Sequence, residues 1–318
     1  MGEPIPAEVR AALDECRWMI HKGSKSFSLA ARLFEPETRD AACFLYGWCR
    51  YCDDQVDGPA GGPAAVERVQ ALKDKTMAAF SSAPQNEPVF IALQHVVRRY
   101  GIPAHYPLEL IEGMAMDARG TDYRTFEDLL LYCYRVAGTV GLMMSHVMRL
   151  RDQAALKHAA DLGIAMQLTN IARDITEDAA MGRIYLPLDW LDDVGIPRAR
   201  VAAPEQRERL ALLTRRLLDE AERYYRSGDA GLWYLSFRSA CAVAAARHVY
   251  AEIGRVLRRR GARAWDSRTH VSAARKLRLV ALALASVTRS IPARWARPWS
   301  PVVIRTVLKT PFREPIAR

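Results

Sequence analysis

Two pairs of aspartates have the spacing of metal ligands on a helix. Asp53 and Asp57 stand four residues apart, and Asp174 and Asp178 repeat this spacing, with Asn170 one turn before them. Side chains four residues apart project from the same face of an α-helix. Mg²⁺ prefers oxygen ligands and is typically held by one or two carboxylates together with the phosphates of a substrate. Two such pairs facing each other would bind a diphosphate through Mg²⁺.

The residues around the second pair predict a mostly buried helix. Acidic residues spaced four apart are common on solvated helix faces, so one pair alone carries little weight. In the segment 167–178, however, Gln167 extends the polar line by one turn, and apolar residues flank that line, namely Leu168, Ile171, Ala172 and Ile175. A buried carboxylate without a partner is costly, and a bound cation would supply one. Upstream, Asp117 is either a third acidic contributor or, as we expect, a solvated helix end.

Other polar residues are candidates for holding a diphosphate. The segment 24–28 is either a basic turn whose hydroxyls and amides bind phosphate oxygens or an ordinary serine-rich helix cap. Tyr46 and Arg50 fall on the same predicted helical stripe as the first aspartate pair. Arg50 can form a salt bridge with a carboxylate one turn away, or it can neutralise a diphosphate with its planar guanidinium. The residues by themselves leave these alternatives open.

The segment 126–150 predicts an apolar helix with unusual glycines. Gly138 and Gly141 lie near its middle. Because a glycine inside a helix costs about 1 kcal/mol relative to alanine, we expect a kink or the close approach of another helix. Four side chains recur at four-residue intervals, Tyr132, Val136, Val140 and Met144. Their pattern suits the wall of an apolar tunnel and plain core equally well.

Helical periodicity continues through nearly the whole chain. It predicts helices over 7–21, 38–57, 64–80, 89–100, 107–119, 126–150, 154–177, 205–225, 232–260 and 271–289, separated by glycine and proline. No run of alternating strand residues is evident. We therefore predict a single all-α domain over residues 1–290 and a basic tail over 291–318 that contains Trp and Pro. Tryptophans among basic residues suit a membrane interface or a loosely docked tail.

The composition favours an intracellular protein with an anionic partner. The chain of 318 residues is 50% hydrophobic, which is ample for a core, and its formal net charge is +10. Phosphorylated substrates or an anionic membrane fit this charge, whereas no nucleic-acid-binding motif accompanies it. The six cysteines are expected to be reduced. With no basic leader and no apolar run long enough to span a bilayer, we expect a cytoplasmic protein that can associate with the inner face of the membrane.

Five motifs, in this order, resemble the squalene/phytoene synthase family of head-to-head prenyl synthases. They are Ser24-Lys25-Ser26-Phe27, Tyr46-x-x-x-Arg50-x-x-Asp53-Asp54-x-x-Asp57, the segment 132–141, Gln167-x-x-Asn170-x-x-Arg173-Asp174-x-x-Glu177-Asp178, and Gly182-Arg183-Ile184-Tyr185-Leu186-Pro187. Five linked motifs are far more specific than any one of them. Within the family, they are most similar to the bacterial phytoene-forming members.

The resemblance implies the isoprenoid synthase fold, a single-domain helical bundle around a central cavity. It also implies a prenyltransferase, dependent on Mg²⁺ or Mn²⁺ and without nicotinamide. This enzyme would condense two geranylgeranyl diphosphates through a cyclopropyl diphosphate to phytoene, the first step of carotenoid biosynthesis. The alternative is a C30 synthase that makes squalene or dehydrosqualene from two farnesyl diphosphates. Ala31, one turn after Phe27, offers room for the longer chain. A rival hypothesis is a non-catalytic lipid-binding or assembly protein with this fold.

The resemblance further implies roles for individual residues. The metal ligands would be Asp53, Asp57, Asn170, Asp174 and Asp178. The substrate-binding residues would be Ser24, Lys25, Ser26, Phe27, Arg50, Val136, Val140, Gln167, Asn170, Arg173 and Arg183. Tyr46 and Tyr132 would steer carbocations through their ring faces, and Tyr132 or the released diphosphate would take the final proton. The sequence does not indicate an oligomeric state.

Overall fold

Helices make up nearly all of the protein that the computed structural model describes, which is residues 6–56, 63–150 and 152–289. They are α1 (Ala7–Gly23), α2 (Lys25–Ala31), α3 (Pro36–Val56), α4 (Pro63–Ala79), α5 (Pro88–Tyr100), α6 (His105–Ala118), α7 (Phe126–Cys133), α8 (Thr139–Val147), α9 (Ala154–Ala180), α10 (Leu188–Asp193), α11 (Arg207–Gly231), α12 (Phe237–Arg260) and α13 (Ala273–Arg289). A π-helical turn, Tyr134–Gly138, joins α7 to α8. These ranges contain no strand, and the predicted all-α class is confirmed.

Two of the predicted features lie outside the described residues. The helix predicted over 38–57 is α3, which is described as far as Val56, so the location of Asp57 stays a prediction. The basic tail 291–318 also lies outside them, and its separation from a domain over 1–290 stays a prediction. Of the helices in the described ranges, none combines the length and the apolar character that crossing a membrane requires.

The structure contains three features that the helix prediction lacked. The segment 24–28 begins a short helix, because the Ser24 hydroxyl caps α2 by accepting a hydrogen bond from the Phe27 amide at 3.2 Å. The helix predicted over 126–150 is interrupted by the π-helical turn, a kind of irregularity that often occurs at functional sites. Helix α10 was not predicted, because six residues are too few for helical periodicity to show.

Glycines allow α9 to lie at the centre of the bundle. Helices α8, α11, α12 and the π-helical turn all pack against it. A Cβ atom on Gly141 of α8 would stand 2.2 Å from the carbonyl oxygen of Ala159, and one on Gly163 of α9 would stand 2.2 Å from that of Ala137. No side chain fits at either point. The close helix approach expected for the glycines of 126–150 is therefore confirmed.

Two groups of buried side chains hold the helices that carry the aspartates. One group lies on α1, α3, α5 and α6 and includes Trp48 and Leu93, and the other lies mainly on α9, α11 and α12 and includes Leu168 and Leu217. Burying one apolar side chain of this size contributes about 1.5–3 kcal/mol. Phe27 contacts both groups. Helices α3 and α9 thereby become two walls of one cavity.

Candidate active site

The described part of the protein encloses an apolar cavity of about 360 Å³. Its walls come from α2, α3, the π-helical turn, α8, α9, α11 and α12. The structure places Phe27, Val136 and Val140 in this wall, together with Met144 and Ala31. Volumes of about 300–1,000 Å³ are usual for sites that bind small molecules. For Val136, Val140 and Met144, the structure therefore bears out the tunnel-wall interpretation.

One end of the cavity is polar. Tyr46 of α3 and Gln167 and Asn170 of α9 line it there. The Asn170 side-chain amide donates to the Gln167 carbonyl oxygen at 3.4 Å, and the Asn170 Oδ1 atom is buried without a hydrogen-bond partner among the described residues. An unsatisfied buried acceptor costs about 1–3 kcal/mol. A cation or a hydrogen-bond donor on a ligand would satisfy it.

The α3 carboxylates are paired with an arginine of the same helix. The Arg50 guanidinium donates to Asp53 Oδ2 at 3.0 Å and also contacts Asp54. Of the two alternatives for Arg50, the intrahelical salt bridge is the one seen in this structure. The pair is about half exposed, so it is a weak interaction that a more highly charged ligand can replace.

Asp174 of α9 lies between two arginines. Arg173 donates to it through two nitrogens, with Nε at 2.8 Å from Oδ1. Arg268, from the segment between α12 and α13, reaches Asp174 Oδ2 at 3.4 Å. Sequence reasoning missed Arg268, since it lies 94 residues from its partner and belongs to no motif. The arrangement concentrates positive charge beside the second acidic segment.

Asp178 lies one turn further along α9 in an environment that disfavours its charged form. Burial, together with the negative charges of Asp174 and Asp117, raises the pKa of Asp178 to about 7, although the positive charge of Arg183 opposes the rise. Asp117 is thus close enough to act on Asp178. We predicted that Asp117 is a solvated helix end, and this was wrong, because the residue is half-buried and accepts hydrogen bonds from two tyrosines.

Tyr132 is placed away from the cavity wall. Its hydroxyl donates to Asp117 at 2.8 Å and its ring stacks on Tyr185 with ring centroids 4.9 Å apart. For Tyr132, the structure bears out the core interpretation and not the tunnel wall, because the π-helical turn changes the register between α7 and α8. Tyr185, which lies in the fifth motif, donates to the other Asp117 oxygen at 2.8 Å.

The start of α2 packs against the polar end of the cavity. A Cβ atom on Gly23 would stand 2.3 Å from the Tyr46 hydroxyl, so only glycine lets the two approach. Ser24 lies beside Tyr250, a buried tyrosine of α12 whose ring lies 5.1 Å from that of Phe27. Burial raises the pKa of Tyr250 to about 12, which keeps its proton in place. Sequence reasoning missed Tyr250, since nothing in the apolar pattern of α12 distinguishes it from core.

The remaining residues of the first motif do not line the cavity. Lys25 is exposed and Ser26 is half-buried. Lys25 stands near Lys276 of α13, since burial and then the Lys25 charge lower the pKa of Lys276. Two neighbouring ammonium groups favour the approach of an anion. The structure therefore assigns Lys25 a position beside the site and not inside it.

The donor set fits a hard divalent cation. Within the described ranges, no three His, Cys, Asp or Glu side chains are gathered closely enough to ligate one ion. Asp57 lies outside these ranges. A bound cation would nevertheless pair with the buried Asn170 oxygen. It would also offset the mutual repulsion of Asp174 and Asp178. All these groups offer oxygen, the ligand that Mg²⁺ prefers.

Comparison with known sequences finds a matching family and similar enzymes. A family model described as squalene/phytoene synthase matches residues 20–275. A phytoene synthase from Pseudescherichia vulneris is 45% identical over 302 residues, covering 90% of this chain and 98% of the relative. A 15-cis-phytoene synthase from Pantoea ananas is 45% identical over 289 residues, covering 87% of this chain and 94% of the relative.

Comparison with solved structures finds the same helical arrangement. A dehydrosqualene synthase in complex with a ligand matches with a TM-score of 0.81 at 28% identity, covering 89% of this chain and 98% of that one. A squalene synthase from Alicyclobacillus acidocaldarius matches with a TM-score of 0.72 at 26% identity, covering 81% and 97%. The predicted isoprenoid synthase bundle around a central cavity is confirmed.

Proposed function

Because the chain belongs to the squalene/phytoene synthase family, we propose that it is a prenyltransferase that condenses two geranylgeranyl diphosphates to phytoene, the first step of carotenoid biosynthesis. The family assigns the reaction class. The choice of the C40 product is supported by the relatives, since those that are 45% identical over most of this chain are named phytoene synthases.

The observation that carries the proposal is the two-ended cavity. Its polar end, at Tyr46, Gln167 and Asn170, lies on the same helices as Asp53 and Asp174. The rest of the cavity is apolar, and its described lining residues include no Asp, Glu, Lys or Arg. A prenyl diphosphate has the same division into a charged head and a hydrocarbon chain. The cavity therefore fits this substrate with the head at the polar end.

The chain's own groups would act first on the leaving diphosphate. Asp53, Asp174, Asp178 and Asn170 would hold Mg²⁺, with Asp57 as a further ligand, and the ion when bound withdraws charge from the diphosphate. Arg50 and Arg173, which now pair with carboxylates, would donate to the diphosphate oxygens. Hydrogen-bond donors placed where charge develops lower the barrier to breaking the carbon–oxygen bond.

The apolar walls would then protect the cations. Loss of the first diphosphate leaves an allylic cation, and the double bond of the second substrate attacks it to give a cyclopropyl diphosphate and one proton. Loss of the second diphosphate, rearrangement and release of another proton complete the reaction. The Tyr46 ring lines the polar end of the cavity, next to the apolar walls, where its π face can stabilise positive charge. Excluding water from this space prevents the cations from being quenched.

Substitution of the aspartates tests the assignment. Asp53→Ala and Asp174→Ala should abolish Mg²⁺-dependent consumption of geranylgeranyl diphosphate while circular dichroism shows an intact helical fold. Asp14→Ala is the matched control, since Asp14 is an exposed carboxylate of α1 that pairs only with Arg17 among described residues. Full activity in both site variants would refute the metal assignment.

Product analysis by mass tests the reaction itself. Purified wild-type protein with Mg²⁺ should convert geranylgeranyl diphosphate to a C40 hydrocarbon without a reductant. A C30 hydrocarbon formed only from farnesyl diphosphate would identify a C30 synthase instead. No hydrocarbon from either diphosphate would favour a lipid-binding or assembly protein that keeps the fold.

A further inference from the structure

The cavity extends along α9 well beyond the polar end. The side chains of α9 that line it begin at Asn170 and end at Ala155. Fifteen residues of α-helix at 1.5 Å per residue correspond to about 22 Å. The lining between these ends includes several very small residues, among them Ala159, Gly163 and Gly228. Small side chains on facing helices leave a channel open along this length.

His158 stands near the far end of this channel. It is one turn from Ala155. The α9 residues that line the channel here are Ala155, His158 and Ala159, and of these His158 is larger than alanine. The other polar lining residues of the described protein, Tyr46, Cys49, Gln167 and Asn170, all belong to the opposite end. A polar ring at the apolar end has no part in the reaction proposed above, since the charged head groups lie about 18 Å away along the helix.

A chain of hydrogen bonds fixes the orientation of the His158 ring. Asp161 Oδ2 accepts from the Ser227 hydroxyl and from Lys157 Nζ, the latter at 2.6 Å. Because Ser227 uses its only proton on Asp161, its oxygen must accept from His158 Nδ1, which lies 2.8 Å away. The direction of the bonds thus sets the histidine tautomer. Asp161 is only 6% exposed, so the network is anchored in the helix packing.

Helix α11 supports the ring from behind. A Cβ atom on Gly231 would stand 2.7 Å from the His158 Cβ atom, so glycine is what allows α11 to come this close. The Tyr234 ring lies 6.2 Å from the imidazole. The ring is therefore held by its hydrogen bond to Ser227, and the base of the side chain is held by close packing against Gly231. It has little freedom to swing out of the channel.

We propose that His158 ends the hydrocarbon channel and so limits the length of the prenyl chain, with Ser227 and Asp161 as the positioning residues that hold its ring in place. The inference rests on the proposed function, because it names what determines the chain length that the cavity accepts. A rigid side chain is suited to this role. A flexible one would retreat before a longer substrate, whereas the anchored imidazole excludes it.

Competition among diphosphates of different length tests the proposal. Wild-type protein, His158→Ala and His158→Phe are each incubated with Mg²⁺ and an equimolar mixture of C15, C20 and C25 prenyl diphosphates, and relative consumption is measured by mass. His158→Ala should raise the use of C25 relative to C20 by about tenfold or more, as expected when a pocket gains room for several carbons. His158→Phe should shift preference toward C15, and as it creates no cavity, it tests the proposal even if His158→Ala does not fold.

Two further variants separate the effect of the size of the His158 ring from the effect of its hydrogen bond to Ser227. Ser227→Ala leaves the ring in place but removes its anchor, so use of C25 should rise by less than in His158→Ala. Ser227→Thr keeps the hydroxyl and should restore the wild-type ratio. Ratios within twofold of wild type in both His158→Ala and His158→Phe would overturn the proposal. If wild-type protein consumes none of the three diphosphates, the proposed function itself has failed.

Discussion

The Tyr132 hydroxyl donates to Asp117 at 2.8 Å, and the two residues lie on different helices, α7 and α6. Tyr185 donates to the second oxygen of the same carboxylate, and the two tyrosine hydroxyls are 3.2 Å apart. Asp117 in turn contributes to the raised pKa of Asp178. The tyrosine pair therefore positions a negative charge near the second acidic segment, and it joins α6 and α7 to the turn that follows α9.

Removing either partner of this hydrogen bond should destabilise the protein. Tyr132→Phe leaves one buried carboxylate oxygen with fewer donors, and we expect the free energy of unfolding to fall by about 1–3 kcal/mol. Asp117→Asn should produce a similar loss. Urea unfolding of both single variants and the double variant measures their coupling, which should be about 0.5–3 kcal/mol. Strictly additive effects would contradict the linkage.

Filling the cavity at Ala31 should change substrate preference. Ala31 lines the cavity and is 7% exposed, so a larger ring at this position enters the space that the substrate needs. For Ala31→Phe we expect the ratio of C20 to C15 consumption to fall by about tenfold. Retained turnover of farnesyl diphosphate is the internal control for folding. An unchanged ratio would show that Ala31 does not contact the hydrocarbon chain.

Replacing Gly141 should disrupt the packing of α8 on α9. A Cβ atom there would meet the Ala159 carbonyl oxygen at 2.2 Å, and backbone cannot move aside as a side chain can. We expect Gly141→Ala to lower the free energy of unfolding by about 1–3 kcal/mol. Gly254→Ala is the matched control, since its Cβ would meet only the flexible end of Leu218, at 3.0 Å. Equal thermal stability of the two variants would argue against this explanation.

The stability of the α12–α13 contact should depend on acid pH. Glu252 is buried on α12 and accepts from Arg255 at 3.3 Å, from Arg259 at 3.3 Å and from Arg275 at the start of α13 at 3.2 Å. Burial alone raises the pKa of Glu252, but the arginines outweigh it and hold the pKa below its ordinary value of 4.5. The folded state therefore binds this proton less tightly than the unfolded state does. The stabilisation is present above pH 4.5 and is lost as the pH falls through the lower folded-state pKa.

Glu252→Gln measures this contribution. At pH 7 it should lower the free energy of unfolding by about 1.5–3 kcal/mol, and the variant should lose less stability than wild type between pH 5 and pH 3. Glu220→Gln is the comparison, because Glu220 pairs with the exposed Arg223 on the surface of α11. Parallel pH profiles for wild type and Glu252→Gln would rule out Glu252 as the titrating group.

The local sequence predicts the helices and the helix faces on which the candidate site residues lie. Apolar residues recurring every three or four positions specify a buried helix face, so the positions of α9 and α12 were predictable to within several residues. The same periodicity put Val136 and Val140 on one face, which is the cavity wall. The i, i+4 spacing likewise placed Asn170, Asp174 and Asp178 along one side of α9. These are local properties, and the local sequence contains them.

Only the tertiary structure decided which of these faces meet. Arg268 reaches Asp174 from 94 residues away, and Tyr250 lies beside Ser24 although the two are far apart in the sequence. Neither pairing leaves a signal in local periodicity, because it depends on how separate helices pack. The π-helical turn moved Tyr132 out of the wall and onto Asp117, and close packing at Gly231 placed His158 at the end of the channel. Helix formation is governed by neighbours in sequence, whereas the partner of each side chain is governed by neighbours in space.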